Sequence, residues 1–202
     1  MHPEILSPEQ QELLPLVKRF KDRFGLVGGT AIALYLGHRR SIDFDLFTSK
    51  TFDVKKIRSM IRQKQKIEHT FIEQDGEFTI LANQVRMTFY HYRYPIRFTQ
   101  SFQDVIQLPD LVTLGAMKVF ALGQRAKWKD YVDLYFLFKQ APFASIVKKA
   151  EALFGGEFNQ KLLRTQLSYF ADIDYSEEIK FMEGFEVSPA KVQRYLRNLS
   201  LQ

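Results

Sequence analysis

The sequence predicts an α/β fold: a mixed sheet with flanking helices, followed by an all-α C-terminal lobe. Three observations predict it. A short apolar run, Leu26-Val27, breaks into Gly28-Gly29 and then an apolar helical stretch. Three strand-like runs follow between residues 68 and 92. From residue 108 onward apolar residues recur at helical spacing. Mixed elements followed by helices alone read as a core over residues 1–102 and a helical lobe over residues 103–202.

Each element has a local cause. Ser7, Pro8, Glu9 and Gln10 form a helix start, with a hydroxyl cap and a proline in the first turn. Leu13, Leu14, Val17, Phe20 and Phe24 follow at helical spacing, and Gly25 ends that helix. Gly28-Gly29 opens a second helix through Leu36, stopped by Gly37. Ser41 to Phe47 alternates, with Ile42, Phe44 and Leu46 on one side and Asp43 and Asp45 on the other. Asp53 to Lys64 reads as a basic amphipathic helix. Strands are expected over 68–74, 78–82 and 85–92, with Asp75-Gly76 as a hairpin turn and Asn83-Gln84 as a weaker one. Helices are expected over 108–122, 129–139, 143–154 and 158–170, and a last one is capped by Ser188-Pro189.

Composition narrows the chemistry. The chain has no cysteine, which excludes disulfides, thiolate zinc sites and cysteine nucleophiles. With four histidines, a metal site would be built mainly on oxygen ligands, which suit Mg²⁺ or Mn²⁺. Lys and Arg outnumber Asp and Glu by 29 to 23, and the net charge of +6 suits a polyanionic partner. No apolar run approaches the ~18 residues that span a bilayer. The first residues lack a basic segment followed by an apolar one, so the expected compartment is the cytoplasm.

The informative stretch is Val27 to Ser49. Backbone without side chains at Gly28-Gly29 lets a phosphate approach a helix N-terminus, where free N–H groups and the positive dipole end favour an anion. Thr30 adds a hydroxyl. Asp43 and Asp45, two apart on a strand, suit a hard cation. His38, Arg39 and Arg40 lie between them. Each part alone is common; the combination is a nucleotide-handling set.

On these residues the sequence resembles the AbiEii/AbiGii toxin family of the DNA polymerase β-like nucleotidyltransferase superfamily. The superfamily pattern is matched by Gly28-Gly29 and by Asp43-Phe44-Asp45. The family's H-R-x-S-x-D-x-D run is matched by His38, Arg39, Ser41, Asp43 and Asp45, followed by Phe47. A second motif is matched by Lys118, Arg125, Lys127, Lys129, Asp130 and Asp133. The resemblance implies nucleotide binding by Gly28, Gly29, Thr30, Arg39 and Ser41, metal binding by Asp43 and Asp45, and Lys118 and Asp130 in the catalytic set. It also implies Mg²⁺ as cofactor and an NTP as substrate. NMP would pass to a hydroxyl acceptor, in this family context the 3′ end of tRNA. The protein would act as the toxin of a toxin–antitoxin or phage-defence pair, with an antitoxin as partner.

One departure matters. Active members of the superfamily commonly carry a third carboxylate on a later strand. The matching strand, 85–92, has none, and Thr88 or Tyr90 would stand in its place. Asp130 is then the candidate base. The alternative is a degenerate member that binds nucleotide or a partner protein without transfer. Two further readings concern packing. His38 is expected as a structural hydrogen-bonder and Trp128 as a packing anchor. The aromatic-basic run from Phe89 to Tyr94 is read first as an ordinary strand and second as a surface that stacks on RNA bases.

Overall fold

A computed structural model describes residues 1–202. Seven strands form one mixed sheet: β1 (Gly25–Val27), β2 (Phe44–Thr48), β3 (His69–Gln74), β4 (Glu77–Ala82), β5 (Val85–His91), β6 (Gln100–Phe102) and β7 (Ile106–Leu108). Their order across the sheet is β3-β4-β5-β2-β1-β7-β6. The helices are α1 (Pro8–Lys18), α2 (Gly28–Leu36), α3 (Val54–Arg62), α4 (Leu111–Leu122), α5 (Trp128–Gln140), α6 (Phe143–Phe154), α7 (Gln160–Ser168) and α8 (Pro189–Ser200). None is long and apolar enough to cross a membrane.

Most of the expected elements form for the reasons read in the sequence, but α1 ends at Lys18, before Phe20 and Phe24, and Gly25 opens β1 instead of ending the helix. Ser7 and Gln10 make a reciprocal capping box at the start of α1. Asp53 caps α3 by accepting from the Lys55 amide at 2.8 Å. Gly37 ends α2 at φ +66°, a left-handed conformation that favours glycine. Gly76 turns the β3–β4 hairpin at φ +80°. The β4–β5 turn holds Asn83 and Gln84 both at positive φ, so the weaker hairpin signal also forms.

Three differences have physical causes. The alternation from Ser41 breaks at its start: β2 begins only at Phe44, and Ile42 is 62% exposed instead of facing the core. The chain from Ser41 to Asp43 is held by hydrogen bonds to α2 rather than by the sheet. Strands β6 and β7 have three residues each, too few to show alternation, and the sequence reading passes over them. Finally, β7 pairs in parallel with β1 at Gly25 and Gln107, so the sheet extends past the 102/103 boundary expected from the sequence.

The sheet has two distinct faces. Phe44, Leu46, Met87, Phe89, Phe78 and Ile80 are buried on one of them. Rings of Phe20 and Phe24, just beyond α1, pack edge-on against Phe89 at 4.9 and 5.4 Å. The other face carries Asp45 opposite Thr88 and Phe47 opposite Tyr90. Helices α2 and α4 bound that face, and the space between is the cavity described next.

Candidate active site

The cavity measures about 790 Å³, a size suited to a nucleotide-sized ligand. Gly28, Asp45, Glu77, Thr88, Lys118 and Arg125 are on its wall. Strand pairing explains why Asp45 sits where it does. Asp45 lies opposite Val27, the residue that precedes α2. Its carboxylate therefore abuts the first turn of that helix. Gly28 has φ +71°, and a Cβ there would fall 2.0 Å from Asp45 Oδ2. Only glycine meets both conditions. No side chain caps the N-terminus of α2, so its first N–H groups are open to an anion.

Neither Asp43 nor Asp45 belongs to an ion pair, while Lys118 is committed elsewhere. Burial, and then the neighbouring Asp43 carboxylate, push Asp45 up to about 6. A carboxylate pair without an ion-pair partner fits a hard cation. No third carboxylate or histidine joins the pair in a cluster that could hold a metal. A Mg²⁺ ion would thus take two carboxylate ligands and leave its other positions to water and phosphate oxygens, as that ion commonly does.

Behind the cavity lies a buried ionic cluster. Asp133 is fully buried and accepts from Arg39 at both oxygens, Nε to Oδ1 at 2.7 Å and Nη2 to Oδ2 at 2.8 Å. Lys118 Nζ donates to Asp130 Oδ1 at 2.7 Å and lies 3.0 Å from Asp133 Oδ2. Arg125 Nε donates to Asp130 Oδ2 at 3.0 Å. Burial opposes ionisation at Asp133, but Arg39 and Lys118 outweigh it and hold the carboxyl well below its usual range. Burial likewise opposes the Lys118 charge, and Asp133 and Asp130 outweigh it in the upward direction. Burial lowers His38, which is therefore neutral at pH 7. Its Nε2 lies 2.8 Å from Asp133 Oδ1, so that nitrogen carries the proton, and Nδ1 is left without a partner.

The structure brings together some of the expected site residues and separates others. Gly28, Asp45 and Lys118 line the cavity, with Asp43 beside Asp45. Thr30 does not line it. Its hydroxyl is buried, donates toward the Asp43 carbonyl oxygen and lies 3.0 Å from Ser41 Oγ, which ties α2 to the segment before β2. Ser41 is buried in the same contact. Arg39 is 6% exposed with its guanidinium on Asp133 and the Arg40 carbonyl, so it faces the cluster and not the cavity. A Cβ on Gly29 would lie 2.8 Å from Arg39 Nη2, so Gly29 gives room to that guanidinium. Asp130 has both oxygens on cations, and its carboxyl is held low by Lys118 and Arg125 against the effect of burial. That makes it a weak base and a positioning group for Lys118. His38 and Trp128 take the packing roles expected of them, Trp128 between Tyr131 and Tyr175. The sequence reading missed Glu77, which joins the wall because β4 lies next to β5 and its register faces Glu77 to Tyr90.

Comparison with known proteins gives a consistent picture. The family model described as nucleotidyl transferase AbiEii toxin, type IV TA system, matches residues 16–108. An uncharacterised protein of Aquifex aeolicus, aq_aa25, is 30% identical over 206 residues, covering 96% of this chain and 98% of its own length. The crystal structure of JHP933 from Helicobacter pylori is 19% identical with TM-score 0.51, over 81% of this chain and 74% of that one. The nucleotidyltransferase toxin MenT4 of Mycobacterium tuberculosis is 12% identical with TM-score 0.64, over 94% of this chain and 79% of that one. At these identities the two solved structures speak to the fold.

Two outcomes follow from the geometry. With its carboxyl at about 6 instead of the ordinary 3.8, Asp45 contributes stability that is full below its unfolded value and lost as pH rises through 6. In metal-free buffer, Asp45→Asn should match the wild type in thermal stability near pH 4. At pH 7 to 8 it should exceed it by on the order of 2 kcal/mol. A pH-independent difference would contradict this. Gly28→Ala should destabilise by about 1–3 kcal/mol in urea unfolding, because alanine meets both the left-handed backbone and Asp45.

Proposed function

The chain belongs to the AbiEii nucleotidyl transferase toxin family, and from that premise we propose that it is a Mg²⁺-dependent nucleotidyltransferase. It transfers NMP from an NTP to a hydroxyl acceptor, the 3′ end of tRNA. In the cell it acts in the cytoplasm as a toxin, with an antitoxin as partner. The observation that carries this reading is Asp45, without an ion-pair partner, against Gly28 at the open N-terminus of α2, with Lys118 on the same cavity wall.

The residues divide the work as follows. The triphosphate lies along the first turn of α2, where Gly28 and Gly29 leave the backbone N–H groups accessible. Asp43 and Asp45 hold Mg²⁺, which when bound neutralises phosphate charge and orients the reacting oxygens. Lys118 borders the cavity with its ammonium paired to Asp130 and Asp133, which keep it ionised. Arg125, half exposed on the rim, adds a second cation for the departing pyrophosphate. The acceptor oxygen bonds to the α-phosphorus as the bond from that phosphorus to the bridging oxygen breaks. The hydroxyl proton passes to water. Thr30, Ser41 and Arg39 act behind this site by fixing α2 and the segment carrying Asp43.

A second reading is a member that binds nucleotide without transferring it. Its support is Thr88, which faces Asp45 where a third carboxylate is expected. One experiment separates the two. Each NTP, labelled at the α-phosphate, is incubated with Mg²⁺, total RNA and total protein. Wild type should label RNA, and Asp45→Asn should label it at least about a hundredfold less. Label in protein would move the acceptor to a side-chain hydroxyl. NTP binding without label in either fraction would favour the non-catalytic reading.

A further inference from the structure

The cavity has an aromatic wall that the transfer site itself does not use. Phe47, Tyr90 and Tyr92 form a triangle of rings, with centroids 5.1, 5.2 and 6.2 Å apart. Tyr94 continues it, 5.1 Å from Tyr92, and is anchored edge-on against Phe154 at 4.7 Å. Register produces the arrangement. Phe47 pairs with Tyr90 one alternation beyond the pair Asp45 and Thr88, about 7 Å along the strands. The Tyr92 amide then bonds to the Thr48 carbonyl at 2.8 Å, which extends the ladder past the end of β5.

Core packing accounts for these rings only in part: Phe47, Tyr92 and Tyr94 pack against the core and stay partly uncovered. The opposite face of the same strands already supplies the core, through Phe44, Leu46, Met87 and Phe89. A sheet face turned to water ordinarily carries polar residues. Here Phe47, Tyr90 and Tyr92 are only partly covered and look into open space. Cations border them: Arg93 and Arg125 are on the same wall, and the Arg93 guanidinium lies 4.9 Å from the Tyr94 ring centre. Rings interleaved with cations form a surface for unpaired bases and their phosphates, because any base has a face to stack and the cations follow the backbone.

We infer that the Phe47–Tyr90–Tyr92 wall is the acceptor subsite and that it takes the unpaired 3′-terminal nucleotides of an RNA. This rests on the nucleotidyl-transfer reading: with bases on the rings, the terminal hydroxyl lies beside Asp45. The occupant is a single-stranded end. A duplex end keeps its bases stacked on one another and leaves the rings without a partner.

The test is direct RNA binding by fluorescence anisotropy without NTP, so its outcome does not depend on catalysis. The probes are an RNA hairpin with four unpaired 3′ nucleotides and the same hairpin with a blunt end. The wild type should bind the overhang more tightly. Tyr92→Leu should weaken overhang binding by about tenfold, Tyr92→Phe should restore it, and the blunt hairpin should respond to neither. Tyr90→Leu repeats the measurement at a second ring in case one variant folds poorly. Equal binding of the two hairpins, or no effect of removing either ring, would overturn the assignment. So would weaker NTP binding by calorimetry with RNA binding intact, which would give the rings to the nucleotide base. Absence of NMP transfer by the wild type, with the ring-dependent RNA binding present, would instead count against the transfer reading.

Discussion

The structure depends on one buried carboxylate. Asp133, on α5, has no access to water and must be matched by charge inside the protein. Its partners come from two places in the chain. Arg39 and His38 follow α2, and Lys118 comes from α4. Asp130, one turn before Asp133 on α5, takes the other side of Lys118. Two carboxylates and two buried cations thus neutralise one another in a space that excludes solvent. Breaking such a cluster at one member costs about 3–5 kcal/mol, because the remaining charge is stranded. The cluster therefore ties α4 and α5 to the segment after α2 and holds Lys118 at the cavity wall.

Asp45 is the contrasting case. It has a like charge in Asp43 beside it and forms no ion pair, and the more distant Lys118, Arg125 and Lys129 offset only part of the effect of burial and Asp43. The fold tolerates this because Gly28 leaves room for the carboxylate and the open end of α2 faces the same space. Both charges at the cavity wall are thus set by their surroundings, in opposite senses. Lys118 is held charged by neutralising neighbours, while Asp45 is left short of charge compensation. A cavity wall with an unmet demand for positive charge, next to helix N–H groups that favour an anion, suits a metal-bound polyphosphate.

Local features were legible in the sequence and distant ones were not. Gly28-Gly29, Asp43 and Asp45 could be read because their effect lies within one strand–helix turn. The caps at Ser7 and Asp53 and the turn at Gly76 are equally local. Thr30, Ser41 and Arg39 were expected at the nucleotide because they match the family pattern. Nothing near them in the sequence tells that Asp133, some ninety residues on, would claim Arg39. Asp130 was expected as a base because the strand over 85–92 carries no carboxylate, and two cations hold it ionised. Ile42 broke its alternation because the preceding chain follows α2. Glu77 joins the cavity only through strand order, which no local pattern carries. The aromatic run from Phe89 to Tyr94 was visible, but only the two-faced sheet separates buried Phe89 from Tyr90 and Tyr92 at the cavity.

The measurement that tests this account most directly is a double-mutant cycle between Arg39 and Asp133, read by urea unfolding at pH 7. The variants are Arg39→Met, Asp133→Asn and the pair. If the buried cluster is what joins the motifs, the double variant should be less destabilised than the sum of the singles, with a coupling of about 2 kcal/mol or more. Additive effects, within about 0.5 kcal/mol, would contradict it. The placement of Lys118 would then need another cause.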